Sequence, residues 1–478
     1  LIRTIAIAFP LLLGIYLVVS EINRRRARLP IKGPTGLPIV GNLLQVYPDP
    51  PEQLRKWGEE YGGVYQIMFG NMPIVVFTTM QAAKDVFVGQ GGALVDRPRF
   101  YTFHSVLSSV ASTIGTTPWY VSVPPFHQDA YSACFCRSES TKRRRKAAAS
   151  AMNRTAVASY TPLIEETSRD WISELLDRGR SGQVAVDPKP LILHTILDLT
   201  MTVNYGRRLP KEDGLFEELL YVEEQVSLFR SVVGAMQDYV PLLRWNPINL
   251  KSAHAKNTNT RRLAYLYRFS EEHKQEMKLG TDKPCIQGNV LRDPDHKFTE
   301  VELMSINMSM VSGGIDTLAN TLIWTIGTLA RRPDVQETAY QAIMEVYGAE
   351  NWGDVQEEKV RYLSALVKES LRFFSVLRLS LPRNAIRDIE YKGIFIPQGT
   401  TVFLNAWGCN RGIMEKPLGR PKADMSSDES FFGPDVNEYR PERWFEGENT
   451  RLDHAAFGIG GYNILIPGSL LPLTLSPW

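Results

Sequence analysis

Apolar and polar positions follow two periods along this chain, and the switches between them outline its elements. Residues Ile5 to Val19 read IAIAFPLLLGIYLVV, with Pro10 and Gly14 the helix-weakening positions, and Arg24, Arg25, Arg26 and Arg28 follow. An apolar run with positive charge on one flank predicts a membrane anchor over residues 1–28, its basic flank cytoplasmic. A cleaved signal peptide competes, because the run is shorter than the ~20 residues of a span. No small-residue cleavage site follows, and the arginines favour the uncleaved anchor. Residues 29–45 contain PIKGPTGLPIVGN, a proline-rich connector that stiffens the approach to the body. EQLRKWGEEYGG, from Glu52, has helical spacing and a glycine stop. VYQIMFGNMPIVVFTT, from Val64, reads as two strands around Gly70-Asn71. The region 150–280 is helical in pattern. A long helix is predicted from Thr299, with acids early and arginines late to suit its dipole, and Pro333 as its stop. VRYLSALVKESLRFF places Leu363, Leu366, Val367 and Leu371 on one helical face. IEYKGIFIPQGTTVFLNAW alternates like short strands with turns at Lys392-Gly393 and Gln398-Gly399. No repeat and no linker divides the body, so one large domain is expected over 46–461, mainly α with small β-sheets.

Composition narrows the chemistry. The 478 residues suffice for a large core, and a net charge of +2 lacks the basic footprint of a nucleic-acid binder. Cys134, Cys136, Cys285 and Cys409 form neither a disulfide framework nor a metal pair, which fits a reducing, cytosol-facing location. The seven histidines make no HExxH, so a zinc hydrolase is not indicated. Inside the long helix stands Gly313-Gly314-Ile315-Asp316-Thr317. Two glycines there cost the helix about 1 kcal/mol each. They permit either close helix packing or approach of a ligand to the backbone beside an acid and a hydroxyl, with a kink or widened turn. Glu369 and Arg372 share a helical face, as many surface pairs do.

The order of these features resembles a cytochrome P-450, a haem-thiolate monooxygenase: anchor, proline hinge, GGIDT, ESLR, PERW, then Phe457-Gly458-Ile459-Gly460-Gly461. GALVDRPRFYTFHSVLSS, TKRRRKAAASAMNR and LIWTIGTLARRPD are similar to the fungal phenylacetate hydroxylase branch. The resemblance implies haem, with electrons from NADPH through a membrane-bound flavoprotein reductase at the endoplasmic reticulum. It implies that Thr317 hydrogen-bonds the bound dioxygen, that Asp316 relays protons, and that Gly313 and Gly314 leave room above the haem. Glu369, Arg372 and Arg443 would form a charged triad. Arg383 would pair with a haem propionate, and Trp119 would precede a basic helix that serves the other. The run Lys142-Arg143-Arg144-Arg145-Lys146 is also readable as a solvated face or a nucleic-acid patch. Phe100, Tyr101, Phe103 and His104 lie where the family's substrate loop would be, or form a packed loop. A small aromatic acid would want a cation, for which Arg97 or Arg99 could serve.

The haem loop departs from the family. Phe457 and Gly460 match, but the arginine position holds Tyr462, the cysteine position Ile464 and the last glycine position Ile466. Isoleucine has no lone pair for iron. The expectation is a fold truncated after the start of the haem loop, with an aberrant tail over 462–478. Residues 120–137 and 412–430 interrupt the pattern and are expected to be inserted, unspliced segments, against the reading of genuine loops. On that reading the tail after Gly461 is a missed splice or a shifted frame, and the alternative is an inactive or mis-spliced product that lacks the thiolate and has no monooxygenase activity. A monooxygenase of secondary metabolism is a further alternative.

Overall fold

Local sequence signals set most element boundaries. The computed structural model describes residues 2–118, 130–209, 214–246, 248–293, 297–348, 359–412, 431–445 and 454–459, with only the backbone at 2–11 and 130–138. Trp119, Gly460, Ile464 and the tail 462–478 lie outside these, as do most of the two unpatterned stretches. The helices are α1 Ile2–Ala27, α2 Pro50–Tyr61, α3 Met80–Phe87, α4 Ala130–Ala151, α5 Arg154–Arg178, α6 Lys189–Tyr205 and α7 Leu215–Arg230. They continue as α8 Leu250–Leu279, α9 Ile286–Leu291, α10 Glu300–Leu329, α11 Pro333–Tyr347, α12 Arg361–Phe374 and α13 Ala406–Asn410. The strands are β1 Val64–Phe69, β2 Met72–Phe77, β3 Arg383–Asn384, β4 Ile389–Tyr391, β5 Ile394–Ile396 and β6 Thr401–Leu404.

The strands form one four-stranded sheet in the order β1-β2-β6-β3 and one hairpin, β4-β5. β1 and β2 are antiparallel, β2 and β6 parallel, β6 and β3 antiparallel. The β4-β5 turn has positive φ at both Lys392 (48°) and Gly393 (78°), the twist that a two-residue hairpin needs.

α10 runs through the middle of the helical layer, against α4, α6, α7, α8, α11 and α12. It starts on a capping box, with the Thr299 side chain on the Glu302 N–H and the Glu302 carboxylate on the Thr299 N–H. It ends at Leu329, before the expected stop, because Pro333 opens α11 instead. The glycine pair causes no break: α10 stays α-helical through Gly313–Thr317. Ile192, Ile196 and Leu199 of α6 share a core with Leu303, Ile306, Leu318 and Leu322 of α10. Leu363, Leu366, Val367 and Leu371 of α12 are all buried, as their spacing predicts. Among the described residues no helix is long and apolar enough to cross a membrane.

Candidate active site

The helical face of α12 opposite its apolar stripe carries a charged hub. Arg372 grips Glu369 through two bonds of 2.8 Å, Nε to Oε2 and Nη2 to Oε1. Arg443 Nε donates to the same carboxylate at 3.0 Å, as do the Arg440 amide at 2.9 Å and Trp444 Nε1 at 3.0 Å. Each arginine also takes backbone carbonyls: Asn410 and Val436 for Arg372, Phe432, Asp435 and Glu438 for Arg443. The three side chains are buried. Burial pushes the Glu369 carboxyl up, but its bonds to Arg372 and the charges of Arg372 and Arg443 reverse this and leave it below its ordinary value. The i,i+3 pair that reads as surface decoration is the centre of a satisfied network.

The hub reaches the Phe457 segment through Asn410. Asn410 accepts from Arg372 with its carbonyl and from the Ala455 amide with Oδ1, at 2.8 Å each. Phe457 packs against the core that α10 and α12 share. Trp444 closes the PERW motif, whereas Asn410 and Asp435 carry no motif, and only the fold reveals them as members of this network.

On α10 the two glycines play different parts. A Cβ on Gly314 would stand 2.9 Å from Thr200 Oγ1 and 3.0 Å from Thr200 Cγ2, so this glycine permits close packing of α6. A Cβ on Gly313 would meet nothing within 4 Å. The close-packing reading fits Gly314, and the space beside Gly313 leaves room for the other. Thr317 lies one turn on and donates to the Gly313 carbonyl at 2.5 Å. Asp316 accepts from Ser227 Oγ and has Arg230 Nη2 at 3.7 Å. Burial pushes the Asp316 carboxyl up, with Glu223 and Glu224 adding to it and Ser227 and Arg230 opposing. Asp316 and Thr317 line a cavity of about 440 Å³, walled by Leu228, Val232, Val376, Leu377 and Leu379.

A second cluster is cationic. Arg97 donates to the Leu381 and Pro382 carbonyls at 2.7 and 2.8 Å, and Arg383 to the Leu94 carbonyl at 3.1 Å. The Asp96–Asn384 bridge sets these two arginines side by side. Burial, then the charges of Arg383 and Arg145, hold the Arg97 guanidinium well below its ordinary range. From the basic run Lys142–Lys146, it is therefore Arg145 whose charge reaches Arg97, while Arg143 pairs with Glu302 and Arg144 meets Ser305. Arg97 Nε is buried with no hydrogen-bond partner among the described residues.

The aromatic loop is packed rather than open to the cavity beside Thr317. Phe100 and Phe103 are buried with Val226, Phe229 and Tyr239, and Tyr101 lies under Arg244. His104 accepts from the Phe100 amide at Nδ1 and donates from Nε2 to the Thr116 carbonyl at 2.9 Å. None of the four lines that cavity.

A haem has two carboxylates at one edge, and the buried cluster of Arg97, Arg383 and Arg145, with its orphaned Arg97 Nε, fits that edge. The open side of Gly313 fits a flat ligand beside α10. Neither cysteine with a described side chain supplies a thiolate: Cys409 packs in the core beside the sheet and Cys285 caps α9, and burial raises both thiols, Cys285 to about 12. The family's cysteine position, Ile464, lies outside the described residues.

The chain is mostly helical with small sheets and a buried Glu-Arg-Arg hub behind its central helix. The cytochrome P450 family model matches residues 31–114 and 115–417, and the chain belongs to that family. It is accordingly an oxidoreductase, a monooxygenase whose family works with haem iron. It is 43% identical over 472 residues to the 3-hydroxyphenylacetate 6-hydroxylase of Emericella nidulans, covering 98% of this chain and 83% of that one. It is 37% identical over 443 residues to the phenylacetate 2-hydroxylase of the same organism, covering 91% and 78%. A cytochrome P450 monooxygenase of Mycosarcoma maydis is 38% identical over 454 residues, covering 93% and 78%.

Proposed function

We propose that the chain hydroxylates a small aromatic acid of the phenylacetate type, with electrons from NADPH through a membrane-bound flavoprotein reductase. The observation that carries this is the cavity of about 440 Å³, roomy enough for a small aromatic acid and bordered by both Asp316 and Thr317. The names of the 43% and 37% identical relatives support the same substrate class. Bound haem would supply dioxygen activation, which the side chains present do not perform. The residues themselves do three things. Arg97 and Arg383, with Arg145 near them, offer positive charge to the acidic edge of that group. The Thr317 hydroxyl is fixed by the Gly313 carbonyl, so its lone pairs are held at the cavity wall. The raised Asp316 carboxyl holds a proton more readily than an ordinary aspartate, beside Ser227 that can pass it on.

The body would sit on the cytosolic face of the endoplasmic reticulum. Leu12, Ile15, Val18 and Val19 of α1 are exposed, as are Trp245, Ile248 and Leu250. The rings of Tyr16 and Trp245 lie 6.3 Å apart, which joins the two groups into one apolar surface suited to a lipid boundary.

A second reading has its own observation, Ile464 at the family's thiolate position. On it the chain binds an aromatic acid without hydroxylating it. The purified chain, supplied with haem, reductase, NADPH and phenylacetate, separates the two. Ring-hydroxylated product and a reduced carbon monoxide complex with the thiolate absorption support the proposal. Bound haem without that absorption, and no product, establishes the second reading.

A further inference from the structure

We infer that Arg230 is the counter-ion for the substrate's carboxylate, an inference that rests on the aromatic-acid reading above. Arg230 is the last residue of α7 and lines the cavity with Asp316 and Thr317. Its Nη2 donates to Ser227 Oγ at 3.0 Å. Its nearest carboxylate oxygen, on Asp316, stands at 3.7 Å, beyond a direct hydrogen bond. A guanidinium has five N–H donors in a planar fork that matches a carboxylate edge to edge. Here most of that fork is unclaimed among the described residues and belongs to a side chain at the cavity wall.

The other cations near the chemistry have their terminal nitrogens engaged, although Arg97 Nε and Arg378 Nε lack partners among the described residues. Arg97 holds the Leu381 and Pro382 carbonyls, and with Arg99 it lines a different cavity, of about 370 Å³, beside Ser108 and Glu302. Arg378 borders the same cavity as Arg230 but is bonded to Asp49 at 3.0 Å and lies over the Trp407 ring at 4.1 Å. Arg262, further along the α7–α10 seam, is saturated by Glu223, with bonds of 2.7 and 3.0 Å, and by Ser312. Burial holds the Arg230 guanidinium below its ordinary value, while the charges of Asp316 and Glu223 oppose that, and Glu224 lines the same cavity, so an acid reaches Arg230 on the side of the fork away from these carboxylates. An acid bound edge-on at Arg230 carries its ring toward the aliphatic wall of Val376, Leu377 and Leu379, next to Thr317.

Binding of phenylacetate and of its neutral isostere phenylacetamide to the full chain, by titration calorimetry, tests this without any turnover. The wild type should prefer the acid. Arg230→Gln should weaken the acid roughly 10- to 100-fold, the range of a lost charge-assisted pair, and leave the amide unchanged. Arg230→Lys should recover part of the preference. If Arg230→Gln binds the acid as tightly as the wild type, the inference is overturned and the aromatic-acid reading stands. A parallel loss of acid and amide that lysine does not rescue also overturns it, because the residue then only shapes the pocket. If the wild type binds neither compound, the aromatic-acid reading itself falls, and the anchor with it.

Discussion

At the scale of single residues, the Gly313-Gly314 pair shows how one motif serves two demands. Gly314→Ala pushes a methyl into Thr200, a β-branched side chain with little freedom to yield, and overpacking of this kind costs about 1–3 kcal/mol. Gly313→Ala meets open space, and the better helix propensity of alanine stabilises the fold by about 1 kcal/mol. Chemical denaturation should therefore give opposite shifts for the two, while only Gly313→Ala narrows the groove and weakens phenylacetate hydroxylation without unfolding. His104 offers a second test. Burial lowers its pKa in the fold, so its contribution to stability is full above the unfolded value of about 6.5 and is lost as pH falls through the folded value. Denaturation midpoints followed downward from pH 7 should fall for the wild type and stay flatter for His104→Gln.

At the scale of elements, α12 and the turn at 441–444 act as one unit through Glu369. Glu369→Gln leaves Arg372 and Arg443 buried without their shared counter-charge, and the expected loss is about 3–5 kcal/mol in equilibrium unfolding. The pKa of Glu369 is lowered in the fold, so the wild type keeps this stability above pH ~4.3 and loses it as pH falls further, a limb the variant should lack. The elements themselves were largely legible from pattern. The α12 stripe, the α10 N-terminus at Thr299 and the β4-β5 turn at Lys392-Gly393 all follow from local spacing and turn chemistry. What local spacing could not give is partnership across the chain. Nothing in Asn410 announces that its Oδ1 will hold Ala455, and Arg230 reads as an ordinary basic residue ending a helix. The substrate-loop reading of Phe100 and Phe103 was open for the same reason, since an aromatic cluster reads alike in a pocket and in a core.

At the scale of the whole molecule, two groups of exposed apolar side chains meet where α1 touches Trp245. Replacing Trp245, Ile248 and Leu250 by serine should lower partition onto phospholipid vesicles by roughly 100-fold or more, with a flotation assay as the measure, because each large apolar side chain contributes ~1.5–3 kcal/mol when buried. The hub bears on how the chain is made. Glu369 and Arg443 are 74 residues apart, and the carbonyls that complete the arginines' shells come from the stretch around Phe432–Glu438. A ribosome adding 5–20 residues each second emits that interval in roughly 4–15 s. For those seconds the nascent α12 presents an ion pair without its lid beside an uncovered apolar stripe. Chaperone engagement during synthesis should therefore concentrate in this window, and a pause engineered between the codons for Phe374 and Arg443 should lengthen it.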